Sequence, residues 1–511
     1  MYQAYKPLRN RLIKVNLLSG LLAIWHYYGY LSSKIPLPAQ LKPRNFKHGD
    51  PLPIQQWQLL LLARELLINS SNKSNTNFTW TTLANSLNEI NTIQESISKT
   101  RYTEENGPDL VWWDLHTIAH QQIPLQRTHN IQRMIRFSNV FGTDELDSLL
   151  KGKVGLTFFE CLLLTFICVG SFERRGYIWK DQMYNEFGIS EEKIKNFYRW
   201  ILKSPSELRG ELITLQSYDE NWSHTWNALE GAPLIEVEFN ARTAIICPMP
   251  SLIWNRLGSA IFFDLVGQRG FSDVYGKAFE NHVGNFIQAV LPGPFFDSKG
   301  ESIYKVGKDV KHGVDWYLTD NNSNLLIECK TKRIKIAAKS FDRQALLDEL
   351  DVLATAVVQL YKNALDLVTS KTNIHFNRKK NYLAIVTLED WYLISLKATV
   401  ELRSMVLAKL AENNIDLGVV NDMPYAVTSC DEFERMICAV RILGIESVLG
   451  KKFSEESIYV PMDSFLIKYT TEIQASFEET YGPRWTDLIA RITKSWNPLY
   501  RDKLTNDFIK I

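Results

Sequence analysis

Two short apolar runs near the middle of the chain, GVDWYLT (313–319) and NLLIECK (324–330), meet at the turn-forming stretch Asp320-Asn321-Asn322-Ser323-Asn324. Asn, Asp and Ser side chains bond to backbone a residue or two ahead and so favour a tight reversal, which makes the two runs strands of a hairpin. Helical spacing precedes them at 274–291 and follows at 339–366, and further strand-length runs lie at 302–307 and 381–388. The order is α-β-β-β-α-β. Such an order predicts one mixed α/β sheet with helices packed on it, over about 130 residues, an ordinary domain size.

The rest of the chain reads as helical. At 511 residues it exceeds one ordinary core, so several domains are expected. Residues 1–130 form a helical N-terminal region, broken by the polar loop NSSNKSNTN at 69–77. Residues 131–265 continue as helices, with a winged-helix-like arrangement as one reading, and end in the strand-like runs PLIEVEF and TAIICPMP. The α/β segment occupies 266–395, and 396–511 returns to helices after a short strand at PYAVTS. The fold class is therefore an α/β core embedded in a largely α-helical multidomain chain.

Lysine and arginine number 58 against 57 aspartates and glutamates, a net charge of +1. That balance excludes long-range attraction to phosphate, so any nucleic-acid surface must be a local patch. Six cysteines without a CxxC pair fit buried thiols in a reducing cytoplasm. The N-terminal run VNLLSGLLAIWHYYGYL is interrupted by Asn16, Ser19 and His26, which favours a helix packed in a core over a signal peptide. A cytoplasmic protein without a membrane anchor is expected.

The hairpin carries the chemistry. Strand alternation puts Glu328 and Lys330 on one face and Cys329 on the other. If Asp315 shares their face, two carboxylates meet, and burying such a pair is costly without a cation between them. Mg²⁺ or Mn²⁺ prefers such oxygen ligands, the backbone carbonyl of Cys329 offers a third, and Lys330 stands where it can orient and help deprotonate an attacking water. Metal-assisted phosphodiester hydrolysis needs these residue types. The competing reading is a charged solvent face on an ordinary hairpin. Glu280 in GKAFENHV lies beside a helical apolar stripe, Phe279, Val283, Phe286, Ile287 and Val290, and a helix packed on the sheet would aim it at the same ion.

The ordered combination of GKAFENHV, GVDW and IECK, with twelve residues between Asp315 and Glu328, resembles the PD-(D/E)xK nuclease superfamily over roughly residues 270–390. VD replaces the usual PD. The resemblance implies a nuclease, endonuclease favoured, with Asp315, Glu328, Glu280 and the Cys329 carbonyl at the metal and Lys330 at the water. Gln359 on the long helix resembles a glutamine often found there, whereas the tyrosine that the RecB-like branch places four residues later is replaced by Asn363. It further implies DNA as substrate and a prokaryotic restriction or anti-phage setting. The alternative is a non-cutting module of the same fold that binds nucleic acid or a partner protein.

Lys332, Arg333, Lys335, Lys339 and Arg343 follow the motif closely, and NRKK precedes the next strand (377–380); beside such a site they would contact phosphates. The segment 184–204 reads as helical packing or as a helix-turn-helix exposing Lys193, Lys195 and Arg199. His116 and His120 share a helix face but lack the glutamate and third ligand of a zinc protease. No GxxxxGK[ST] or GxGxxG occurs, so ATPase or sensor functions would come from partner proteins; self-association stays open.

Overall fold

The computed structural model describes residues 1–494 except 34, 104–106, 127–130, 183, 185–186, 292, 294, 370, 373–378 and 394. Residues 495–511 of the expected C-terminal helical region, 377–378 of NRKK and 185–186 of the helix-turn-helix segment lie outside the described residues.

The chain is mostly helical, with mixed sheets. A small sheet comprises β1 (Tyr177–Trp179), β2 (Leu202–Lys203), β3 (Leu234–Phe239) and β4 (Arg242–Ile246), in the order β1-β4-β3-β2. β3 and β4 turn through Asn240 and Ala241, both at positive φ (52° and 59°), the backbone that two-residue hairpins require. The helices Glu191–Ile201 and Pro205–Leu215 flank β2.

The larger sheet is built from β5 (Asp297–Gly300), β8 (Trp316–Thr319), β9 (Ser323–Lys330), β10 (Lys380–Thr387) and β11 (Tyr425–Ser429), while β6 (Ile303–Val306) and β7 (Asp309–His312) form a separate ribbon. Its order is β11-β10-β9-β8-β5, with β9, β10 and β11 mutually parallel and β8 antiparallel to both its neighbours, β9 and β5. Two expectations are corrected. The 302–307 run is not a sheet strand: Gly307, at φ 63°, lets it fold back on Asp309–His312, and the shorter, polar Asp297–Gly300 takes the sheet edge. The sheet also continues past residue 395, because β11 pairs with β10 along five residues.

β9 and β10 are covered on both faces, which is why LLI and LAIV read as unbroken apolar runs. Leu325, Ile327, Ala384 and Val386 face the site helix (Phe271–Val290) and the helix Cys430–Leu443. Leu326, Leu383 and Ile385 face the long helix (Arg343–Val368) and the helix Leu396–Glu412. The Asp342 carboxylate caps the long helix by accepting from the Ala345 amide (3.0 Å). A third core holds the N-terminal helices, including Leu21, Ile24, Tyr27 and Tyr30 of the helix Leu17–Ser33. Among the described residues no single helix is long and apolar enough to cross a membrane.

Candidate functional site

β8 and β9 pair in a register that sets Trp316 against Ile327. Asp315 immediately precedes β8, next to this end of the pairing, while Glu328 and Lys330 share the face of Leu326, toward the long helix. The Asp315 carboxylate accepts the Cys329 amide N–H at 2.6 Å, which pins it across the strands. Glu328 is buried; Oε1 accepts from the Lys330 ammonium at 2.7 Å, and Oε2 has no hydrogen-bond partner among the described residues.

Glu280 reaches this end from the site helix. The Trp316 indole donates to the Glu280 carbonyl oxygen (2.9 Å) and lies so close to Gly284 that a Cβ there would sit 1.7 Å from the ring. Glycine at 284 thus permits the close helix–strand approach that brings Glu280 beside Asp315. The Glu280 carboxylate is held by Lys277 at 2.6 Å.

The charges act on one another as one cluster. Burial, then Glu328 and Glu280, push the Asp315 carboxyl up to about 7 against the Cys329 N–H. Burial also raises Glu328, with Glu280 and Glu301 adding to it and Lys330 opposing. Lys330 is raised despite burial, because Glu328 and Asp315 favour its charged form. Glu301, in the connection after β5, was not singled out from sequence; it bonds His312 Nδ1 at 2.8 Å, and nothing in the polar stretch around it distinguishes it from a surface acid.

Gln359 is not brought to the site. The stripe Leu346, Leu350, Leu353 and Val357 packs inward, which leaves Gln359 exposed and donating to Asn363 (3.1 Å). A fully buried acid on the same helix, Glu349, lies 3.6 Å from Lys332 and 3.3 Å from Lys335. Its sequence signal was an acid within the buried stripe.

The basic run is dispersed by the fold. Lys332 and Lys335 reach Glu349, their side chains still 39 and 68% exposed. Arg333 is a buried tie, paired with Glu389 at 2.8 Å, bonded to the Ser259 carbonyl and lying over Phe262. Arg343 lies over Trp113, 3.9 Å from Asp109. Lys339 has no ion-pair partner among the described residues and lines a cavity. On the helix Glu191–Ile201, Lys193 pairs with Glu160, Lys195 with Glu191, and Arg199 bonds Asn196. The following helix docks on the N-terminal region, where Arg209 bonds the carbonyls of Leu67 and Ser70. His116 and His120 stack edge-on, and burial lowers both.

His282, Cys430 and Glu434 bring ligand-type atoms within 4.8 Å. This buried group is already compensated: Glu434 accepts from His282 (2.9 Å), Tyr481 (2.6 Å), Gln132 and Arg136 (2.9 Å). Burial alone would raise Glu434, but Arg136 and His282 hold it far below the usual carboxylate range. The guanidinium stands where a cation would, so the group ties helices together. No family model, curated protein or solved structure matches the chain.

Proposed function

We propose that the β8–β9 end is the metal centre of a PD-(D/E)xK-type nuclease that hydrolyses phosphodiester bonds, DNA being the favoured substrate. The observation that carries this reading is the pairing of part-buried Asp315, held on the Cys329 N–H, with buried Glu328, whose Oε2 has no hydrogen-bond partner among the described residues. The residues fit a hard divalent cation. All the donors are oxygens, and both carboxyls are raised, chiefly by burial, even with Lys330 on Glu328. Asp315, Glu328 and the Cys329 carbonyl would hold Mg²⁺ or Mn²⁺, with Glu280 as accessory ligand. The ion, when bound, lowers the pKa of its water and polarises the phosphoryl oxygen.

Lys330 works from its charged form. Held protonated by Glu328 and Asp315, it donates hydrogen bonds that orient the attacking water and offset charge developing on the phosphate. Lys332 and Lys335, part-exposed beside this end, are the phosphate contacts the geometry favours, whereas Arg333 is occupied internally. The superfamily resemblance extends the reading to an endonuclease of a restriction or anti-phage system, with ATPase or sensor partners.

Calorimetric titration with Mn²⁺ tests the metal centre. Wild type is expected to bind with a stoichiometry near one, and Asp315→Ala and Glu328→Ala to lose at least about tenfold in affinity. Unchanged binding in both variants sinks the reading. Cleavage assays on plasmid, linear duplex, single strand and RNA then assign the substrate, with Lys330→Ala expected to bind metal but not cut.

A further inference from the structure

A cavity of about 580 Å³ opens where the chain leaves the carboxyl ends of the parallel strands β9 and β10. Arg333 and Lys339 reach it from the segment after β9, and Glu389 and Tyr392 from the segment after β10; the N-terminal half closes it with Trp57 and Trp226. Crevices outside the carboxyl ends of strands are where open α/β sheets bind ligands, and the volume suits a small molecule.

The wall has a definite chemistry. Arg64 pairs with Glu65, Arg133 with Asp431, Arg256 with Asp264 and Arg333 with Glu389. Lys339 is the remaining lining cation and has no ion pair among the described residues, although Glu389 and Glu230, on the same wall, favour its charge from beyond ion-pair distance. It is therefore the group that gains from an incoming anion. Four aromatic side chains, Trp57, Trp226, Phe263 and Tyr392, line the cavity. Phe263 is 60% exposed, with the Arg333 guanidinium 5.0 Å from its ring centre. Gln121, Asn227 and Asn255 line the same space; the Asn227 amide is engaged by Leu60 and Leu229 and Gln121 donates to the Ser223 carbonyl (2.8 Å), so Asn255 and the Gln121 oxygen are the amide groups left to meet a base edge. Tyr392 adopts φ 46°, a conformation costly for a bulky residue that concentrates at ligand sites, and its ring lies 4.8 Å from His120.

We propose that this cavity binds a nucleotide, the base stacking on the aromatic faces with its edge against the amides, and the phosphate on Lys339. Stacking on aromatics with adjacent cations is how unpaired bases are held. The same moiety arrives as a free nucleotide or as an unstacked residue of a single strand.

The test is calorimetric titration of the full chain in EDTA, with AMP, CMP, GMP and UMP in one arm and mixed-sequence single-stranded DNA 12-mers in the other. EDTA keeps the outcome independent of the carboxylate centre. Saturable binding that weakens at least tenfold in Lys339→Met and in Phe263→Ala supports the proposal; the arm that binds more tightly names the source. Phe263 is exposed, so its truncation leaves the fold intact, which circular dichroism checks. No saturable binding in either arm, or binding indifferent to both substitutions, overturns it.

Discussion

Burial and the facing Glu328 hold the Asp315 carboxyl near 7 in the folded chain, against an ordinary value of 3.8. A raised acid binds its proton more tightly when folded than when unfolded. Each step up in pH between those values therefore costs stability, and the full penalty stands above about 7. In EDTA at pH 8, Asp315→Asn is expected to be more stable than wild type by about 1–4 kcal/mol, a difference that closes below pH 4. Mn²⁺ should narrow it at pH 8 by stabilising wild type alone. Chemical denaturation at both pH values checks this; a less stable Asn variant at pH 8 would contradict the electrostatics above. Period-two alternation made Asp315, Glu328 and Lys330 legible in the sequence, because acids on apolar strands conflict with their surroundings. Glu301 was illegible, since its neighbours are polar and only the return of the chain after β5 brings it near.

At the scale of elements, the contact between the site helix and β8 rests on Gly284 beneath the Trp316 indole. Gly284→Val is expected to destabilise by about 1–3 kcal/mol through overpacking and to weaken Mn²⁺ binding as Glu280 moves away. Thermal melts and calorimetry read the two effects separately. The long helix supplies the opposite case. Gln359→Ala should change stability by less than about 0.5 kcal/mol and leave metal affinity untouched, because Gln359 is exposed and its amide bonds Asn363 of its own helix, away from the site. The helix itself was legible from its apolar spacing; which of its polar residues turned inward had to be judged from the stripe, and there Glu349 outranks Gln359. The run at 302–307 was recognisable as a strand, but not its partner: a two-residue turn at Gly307 favours the local ribbon over the sheet.

Across the whole molecule, Glu434 gathers donors from the helices Ile131–Phe141, Phe271–Val290 and Thr470–Ile492. Removing one partner of a buried charge cluster leaves the others uncompensated, so Glu434→Ala is expected to cost about 3–5 kcal/mol. By the same logic the fragment 266–395 should not fold alone. It would lack β11, the helix covering one face of the sheet, and the carboxylate that satisfies His282. Circular dichroism and amide exchange on the fragment, beside the full chain, decide this. Contacts such as Gln132 with Glu434, 302 residues apart, leave no local pattern, which is why composition shifts near 265 and 395 looked like boundaries although the packing runs through them. At the far side of the sheet, β5 is only four residues long and carries Asp297 and Lys299 on an exposed rim. A short charged rim is a poor template for a second chain's backbone, so the polar strand that replaced the expected one also guards this border against edge-to-edge aggregation.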